Sequence, residues 1–181
     1  MTQGEQQIDQ ILSGCRAGDS RAQEALYRSF YKAMMNLCLR YTKNNMDALE
    51  ALNTGFYKVF KNIQRYDPAQ ASLYTWIRTI VINSCIDLAG INKMAIQTVD
   101  LDNAVTNETA PDILSKFSAG HLLGMIRQLP PATQTVFNLY VMEGCSHQEI
   151  AELLKISEGT SKWHLSDARK KLQAMINSEN I

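Results

Sequence analysis

The residues best suited to binding another molecule lie near the end of the chain, between Ser157 and Gln173. At 100° per residue, this stretch forms two stripes on a helix. The first is small and apolar and comprises Ser161, Leu165, Ala168 and Leu172. The second is polar and basic and comprises Lys162, Ser166, Arg169 and Gln173, flanked by Trp163 and Lys170. Basic side chains bind phosphates and short polar ones reach base edges, so this stripe indicates a DNA-reading face, with a solvated helix end as the alternative.

The residues before this helix predict a helix-turn-helix. Ser146 and Glu149 form a capping box, which predicts a first helix from Ser146 to about Leu154. The turn is predicted at Lys155-Ile156-Ser157, with the apolar Ile156 between the two helices. This arrangement favours DNA binding over a merely solvated surface.

Composition narrows the function classes. The chain has 181 residues, of which 45% are hydrophobic, so it can form one or two domains with a real core. The 18 basic residues balance the 18 acidic ones, which argues against a wholly basic coat for nucleic acid. The charges are segregated, however: between Lys155 and Lys171 five basic residues face two acids, whereas residues 96–115 hold four acids and no Lys or Arg.

Several kinds of chemistry are not expected. The four cysteines contain no C-x-x-C pair and the three histidines have no metal-ligand spacing, so we predict no metal site and no disulfide framework. There is no nucleophile–base arrangement and no phosphate-binding loop, so neither catalysis nor a cofactor is expected. Because the N-terminus lacks a basic flank before an apolar run, and no apolar run reaches spanning length, we expect a cytoplasmic protein without membrane insertion.

The periodicity of the chain predicts an all-α fold with two small domains. Residues 1–90 should form a four-helix bundle, with Ser20 capping the second helix, Asn44-Asn45 the third and Ser72 the fourth. The predicted core stripe of the third helix is Met46, Leu49, Leu52, Phe56, Val59 and Ile63, with Gly55 allowing close helix approach. Residues 91–110 have no periodicity and predict a flexible acidic linker. Residues 111–181 should form four helices, the first beginning at Pro111, the second covering Ala132–Met142, and the last two forming the helix-turn-helix.

Three segments carry a resemblance to a known family. They are DALEALNTGFYKVFKNIQRYDP, LYTWIRTIVINSCIDLA and LPPATQTVFNLYVMEGCSHQEIAELLKISEGTSKWHLSDARKKL. In this order they resemble the extracytoplasmic-function (ECF) sigma factors of bacterial RNA polymerase, over roughly residues 10–90 and 115–175. The resemblance implies a monomer that binds core RNA polymerase and promoter DNA, and it suggests an anti-sigma partner. The first domain would dock on the polymerase clamp helices and open the minus-ten element, and the second would bind the minus-thirty-five element.

The resemblance also implies three sets of site residues. The residues that match the polymerase-docking positions are Asp47, Glu50, Asn53 and Thr54. Minus-ten contacts fall to Lys61, Arg65, Tyr66, Tyr74, Trp76, Arg78 and Asn83, around a base-capturing loop from Asp67 to Ser72. Minus-thirty-five contacts fall to Thr160, Lys162, Trp163, His164, Ser166, Arg169 and Lys170. Core packing is an equal alternative for His164, and it is the preferred interpretation for Trp76, Leu49 and Leu52.

This sequence departs from the family pattern at several of these positions. Leu49 and Thr54 stand where the family places acids, Lys155 where it has Gly, and Ser161 where it has Val. Two other functions stay open from the sequence alone. One is a stand-alone dimeric helix-turn-helix regulator that binds a palindrome, and the other is a protein-interaction bundle without DNA binding.

Overall fold

The structure is a computed structural model that describes residues 3–90 and 118–179. These residues fold into helices that form two compact units, Met1–Leu88 and Ala89–Ile181. Across these two ranges there is no strand, which confirms the all-α prediction. The predicted linker at 91–110 and the predicted helix start at Pro111 lie outside the described residues.

The first unit contains four helices: α1 (Gln3–Arg16), α2 (Ser20–Tyr41), α3 (Asn45–Asn62) and α4 (Leu73–Leu88), with a 3-10 turn at Ile63–Arg65 after α3. Asn44 caps α3 through the Asp47 amide, and Ser72 accepts a hydrogen bond from the Thr75 amide at the start of α4, as predicted. The cap of α2 was predicted one residue too late. The Asp19 side chain, rather than Ser20, accepts a bond from the Arg21 amide at 2.9 Å.

The core of the first unit is built on the small residues of α3. Ala48, Ala51 and Leu52 are fully buried, whereas Met46 is 78% exposed and Leu49 is 39% exposed. The predicted stripe and the packing role of Leu49 are therefore wrong at that end of the helix, and Leu52 packs as predicted. The small residues face α4 because the two helices lie close together at Gly55, where a Cβ atom would lie 2.9 Å from Val81 Cγ2. This confirms the predicted close approach of two helices.

In the second unit, residues 118–179 contain four helices: α5 (Ala119–Gln128), α6 (Pro131–Phe137), α7 (His147–Leu154) and α8 (Glu158–Glu179). A π-helical segment, Asn138–Met142, continues α6 to the predicted end of that helix. Gly144 follows with a φ of 74°, which suits the predicted stop. Among the helices in the described ranges, none combines the length and the apolar character needed to span a membrane.

Candidate functional site

The helix-turn-helix begins with the predicted capping box. The Glu149 amide donates to Ser146 Oγ at 3.2 Å, and the Ser146 amide donates to Glu149 Oε2 at 2.7 Å. Glu149 Oε2 also accepts from Ser146 Oγ at 2.8 Å, and the bonds that it accepts from the Ser146 amide and hydroxyl lower the pKa of the Glu149 carboxyl. The start of α7 is thus defined by its own sequence. The helix packs on α8, and its Ile150 and Leu154 are buried.

The turn between α7 and α8 uses a left-handed residue that is not glycine. Lys155 has φ 56° and ψ 47°, and its backbone N–H bonds to the Ala151 carbonyl. The Ile156 amide donates to the same carbonyl at 3.0 Å, and Ser157 Oγ accepts from the Thr160 amide at 3.0 Å. Both helix ends are therefore satisfied, although Lys155 adopts a conformation that a Cβ atom disfavours.

The predicted inner stripe of α8 is buried at three of its four positions, and the fourth, Leu172, is half-buried. Ser161 and Ala168 are fully covered and Leu165 is 4% exposed. The Ser161 hydroxyl, which stands where the family has Val, is hydrogen-bonded to His147 Nδ1 on α7 at 2.9 Å. Burial, followed by the charge of Lys162, lowers the pKa of His147, so its neutral ring suits this contact and its stacking on Tyr140. A polar residue is accommodated here because its hydroxyl has a partner.

Most of the predicted polar stripe lies on the outer side of α8. Lys162, Arg169 and Lys170 are exposed, and Trp163 and Ser166 are half-buried. Lys162 Nζ lies 3.6 Å from Glu158 Oε2, but both side chains are about half exposed, so this ion pair is weak and leaves the lysine available. These five residues, called here the α8 outer face, are the part of the helix that a duplex could reach.

Two predicted DNA contacts, Thr160 and His164, lie inside instead. Thr160 is 8% exposed and its hydroxyl bonds to Ser157 Oγ at the helix start. His164 is 5% exposed, with Nδ1 3.0 Å from Thr133 Oγ1, and Thr133 donates its only hydroxyl proton to Asp167. His164 Nδ1 must therefore carry the proton, and burial lowers the pKa of the ring. A role at DNA does not fit this burial, and packing, the alternative given above for His164, does.

The helix α3 presents a second surface. Met46, Leu49, Glu50, Asn53 and Tyr57 lie within about 100° of one another on the helix, opposite Ala48, Ala51 and Gly55. Tyr57 is 66% exposed, more than Leu49 and less than Met46. We call these five residues the α3 outer face. The sequence did not predict that Met46, Leu49 and Tyr57 would be exposed. The small residues on the opposite side of α3 are the signal from which this could have been predicted.

The predicted docking residues occupy this region in different ways. Glu50 and Thr54 are exposed, and Asn53 accepts a hydrogen bond from Tyr27 Oη of α2 at 3.0 Å. Asp47 is half-buried, and its carboxylate accepts a bond from Asn44 Nδ2 at 3.0 Å. Asp47 thus belongs to the helix cap, while Glu50 is the acid that extends from the α3 outer face.

The predicted base-capturing loop is held by its own residues. Asp67 Oδ1 accepts from the Ala69 amide at 2.9 Å, and Tyr66 Oη donates to the Ala71 carbonyl at 3.3 Å. The Tyr66 ring is 7% exposed and packs against Trp76, with ring centroids 5.2 Å apart. Stacking of a base on a free Tyr66 ring does not fit this burial. Tyr66 and the half-buried Trp76 instead support the loop.

The remaining predicted minus-ten residues are more accessible. Lys61, Arg65 and Tyr74 are exposed, and Arg78 and Asn83 are half-buried. Lys58, on α3, forms an exposed ion pair with Asp87 of α4 at 2.8 Å. An exposed aromatic ring with basic neighbours in the same unit is a combination that single-stranded nucleic acid can use.

Comparison with known proteins places both units in one family. The family model for sigma-70 region 2 matches residues 26–90, and the family model for sigma-70 region 4 matches residues 121–172. The chain is 23% identical to the ECF RNA polymerase sigma-E factor of Haemophilus influenzae, covering 95% of this chain and 97% of that protein. It is 26% identical to the RNA polymerase sigma factor CarQ of Myxococcus xanthus, covering 89% and 92%.

A solved structure shares the fold. It is the structure of CnrH in complex with the cytosolic domain of CnrY, which is similar with a TM-score of 0.51 at 17% identity and covers 93% of this chain and 96% of that one. Two sigma-70 regions in the family's order, together with relatives matched over nearly their whole length, lead to one conclusion. The chain belongs to the sigma-70 family, as an RNA polymerase sigma factor of the ECF type.

Proposed function

We propose that this chain directs core RNA polymerase to promoters through three separate surfaces and performs no chemistry of its own. The α8 outer face binds minus-thirty-five duplex, the α3 outer face docks on the polymerase, and the loop region from Lys61 to Asn83 opens the minus-ten element. The observation that carries the proposal is the outward position of Lys162, Arg169 and Lys170 in a helix-turn-helix that shares its chain with a region 2 unit.

The docking surface differs from the family pattern in its chemistry. The family places an acid where Leu49 stands, and Leu49 is exposed here beside Met46 and Glu50. Burial of exposed apolar area contributes roughly 25 cal/mol per Å², so apolar contact can replace part of a lost ion pair. We propose that docking in this protein combines one acid, Glu50, with an apolar patch.

Docking is tested by charge reversal on the α3 outer face. Glu50→Arg should weaken binding to core polymerase without lowering the melting temperature of the first unit, because Glu50 is exposed. Leu49→Arg should do the same. Glu24→Arg on α2 is the control for charge reversal, since its ion pair with Arg28 at 2.6 Å is exposed and contributes little stability. A large loss of stability with normal binding by the folded fraction would make Glu50 a structural residue.

The whole function is tested by transcription in vitro. Core polymerase, the purified chain and a pool of duplex fragments should give transcripts from particular fragments, and omission of the chain should abolish them. We propose a monomer in solution. A dimer that binds a palindrome and does not bind core polymerase would support the stand-alone regulator instead.

An inhibitory partner completes the proposal. CnrH was solved bound to the cytosolic domain of CnrY. We propose that an anti-sigma protein binds this chain in the same way. Co-purification of the tagged chain with such a protein, released when transcription is induced, tests this.

A further inference from the structure

The end of α1 and the turn after α3 are joined by a reciprocal pair of hydrogen bonds. Arg16 donates from its guanidinium to the Tyr66 carbonyl at 3.1 Å, and Gln64 Nε2 donates to the Arg16 carbonyl at 2.7 Å. Each accepting carbonyl lies at the end of a helical segment, where backbone carbonyls lack partners within the helix. Two segments 48 residues apart in sequence therefore cap one another.

These bonds join two segments whose packing is incomplete: Leu12 and Tyr66 are buried, but an open cleft remains beside them. A cavity of about 320 Å³ opens between α1 and the chain after the turn, and it is lined by Ile8, Leu12, Arg16, Tyr66 and Pro68 among others. Apolar side chains of α1 thus do not fill the space beside the loop. The position of the Tyr66 backbone depends correspondingly more on Arg16 and Gln64.

Tyr66 connects this contact to the rest of the loop. Its backbone begins the segment that runs to Ser72, its hydroxyl bonds to the Ala71 carbonyl at the far end, and its ring lies on Trp76 of α4. A displaced Tyr66 would move both ends of the loop together. The position of the loop therefore depends on Tyr66, and Arg16 of α1 holds the Tyr66 backbone.

We propose that Arg16 and Gln64 are positioning residues for promoter opening, holding the loop of residues 67–72 in the geometry that the separated strand meets. This inference rests on the function proposed above. Neither residue needs to touch DNA, and Gln64 carries no charge, so its loss cannot change the number of counterions released from DNA.

The test uses substitutions that keep an unbranched, flexible side chain and remove its hydrogen-bond donor. Arg16→Met and Gln64→Met are compared with Arg21→Met on α2 and Gln10→Met on α1, both of which change exposed residues. The template is a duplex selected from a random library by transcription with the wild-type chain and core polymerase. Permanganate reactivity of thymines reports the fraction of opened promoter, and direct titration reports the affinity for core polymerase.

Arg16→Met and Gln64→Met should each lower the opened fraction or the opening rate by about two- to tenfold, the range expected from one hydrogen bond. The double variant should lose less than the product of the two, because both bonds hold the same segment. Affinity for core polymerase and the salt dependence of promoter binding should stay unchanged. The two control variants should open the promoter normally.

Other outcomes overturn the inference. A defect confined to Arg16→Met, with a log–log salt slope reduced by about 0.9, would make Arg16 a phosphate contact. Normal opening by both variants would show that the loop needs no support from α1, while the proposed function stands. If the wild-type chain opens no promoter with core polymerase, the proposed function itself fails and the inference falls with it.

Discussion

Helices α8 and α3 both carry an exposed face that we propose as a binding surface, yet only one of them could be oriented from its sequence. In α8 the buried positions include Ser161, Leu165 and Ala168, and the exposed basic residues lie on the other side, so composition and burial agree for these two stripes. In α3 the buried positions include Ala48, Ala51 and Gly55, while Met46 and Tyr57 face outward. A stripe of large apolar residues therefore indicates a buried face only where the helices are far enough apart for large side chains to fill the space between them.

The largest effect is expected when the buried stripe of α8 is broken. Leu165→Ala should cost about 2–5 kcal/mol of stability in the second unit, because it leaves a cavity in a packed interior. Lys162→Ala and Arg169→Ala, on the α8 outer face, should leave the fold nearly unchanged. Urea denaturation followed by Trp163 fluorescence in a Trp76→Phe background measures the second unit alone, since the chain has two tryptophans, one in each unit.

The same two surface variants should affect DNA instead. If each removes one phosphate contact, the slope of log affinity against log salt should fall by about 0.9, with equal loss on all sequences. If one removes a bidentate contact to guanine, about 1–3 kcal/mol should be lost at a single base position. Unchanged binding at two salt concentrations, together with a harmless Leu165→Ala, would mean that α8 is rotated from the orientation described.

The corresponding substitution in α3 adds an atom to a tightly packed contact, whereas Leu165→Ala removes atoms from one. Gly55→Ala places a Cβ atom 2.9 Å from Val81 Cγ2 and 3.2 Å from Val81 Cα. We expect a loss of about 1–3 kcal/mol from overpacking, which exceeds the gain of up to about 1 kcal/mol in helix propensity. Gly124→Ala on α5 is the matched control, since nothing lies within 4 Å of a Cβ there. A stabilised Gly55→Ala variant would show that α3 and α4 can separate without cost.

Local signals account for the parts of the structure that the sequence predicted well. The capping box at Ser146, the caps at Asn44 and Ser72, and the close approach at Gly55 each depend on a few neighbouring residues or on one small side chain. His164, Tyr66 and Met46 could not be placed in this way. The burial of His164 and Tyr66 depends on Thr133 and Trp76, and the exposure of Met46 follows from the close approach of Val81 to Gly55 on the other side of α3. These partners lie on other helices and enter no periodicity count.

Acidification should distinguish the two units, because residues 1–90 contain no histidine. Burial lowers the pKa of both His147 and His164 below the ordinary value of 6.5. Between the folded-state pKa and 6.5 the unfolded chain binds the proton and the folded chain does not. Stability of the second unit should therefore be full above pH 6.5 and fall as the pH drops below it. Denaturation midpoints at pH 7.5 and 5.5 measure this, and His164→Asn should reduce the difference, whereas an unchanged difference would assign it to another group.

The smallest effect concerns the residues that end α1 and α7. Both helices are followed by a left-handed residue, Gly18 with φ 77° after α1 and Lys155 with φ 56° after α7. Glycine accepts this conformation without strain, so Lys155→Gly should stabilise the second unit by up to about 1 kcal/mol, reduced by the greater freedom of glycine in the unfolded chain. Gly18→Ala should cost the first unit a similar amount, because nothing lies within 4 Å of the added Cβ and backbone strain is the main term. Lys155→Ala is the control, since it removes the side chain and keeps the Cβ. If it stabilises α7 as much as glycine does, the lysine side chain rather than its φ is responsible, and the two helix ends differ in sequence without differing in energy.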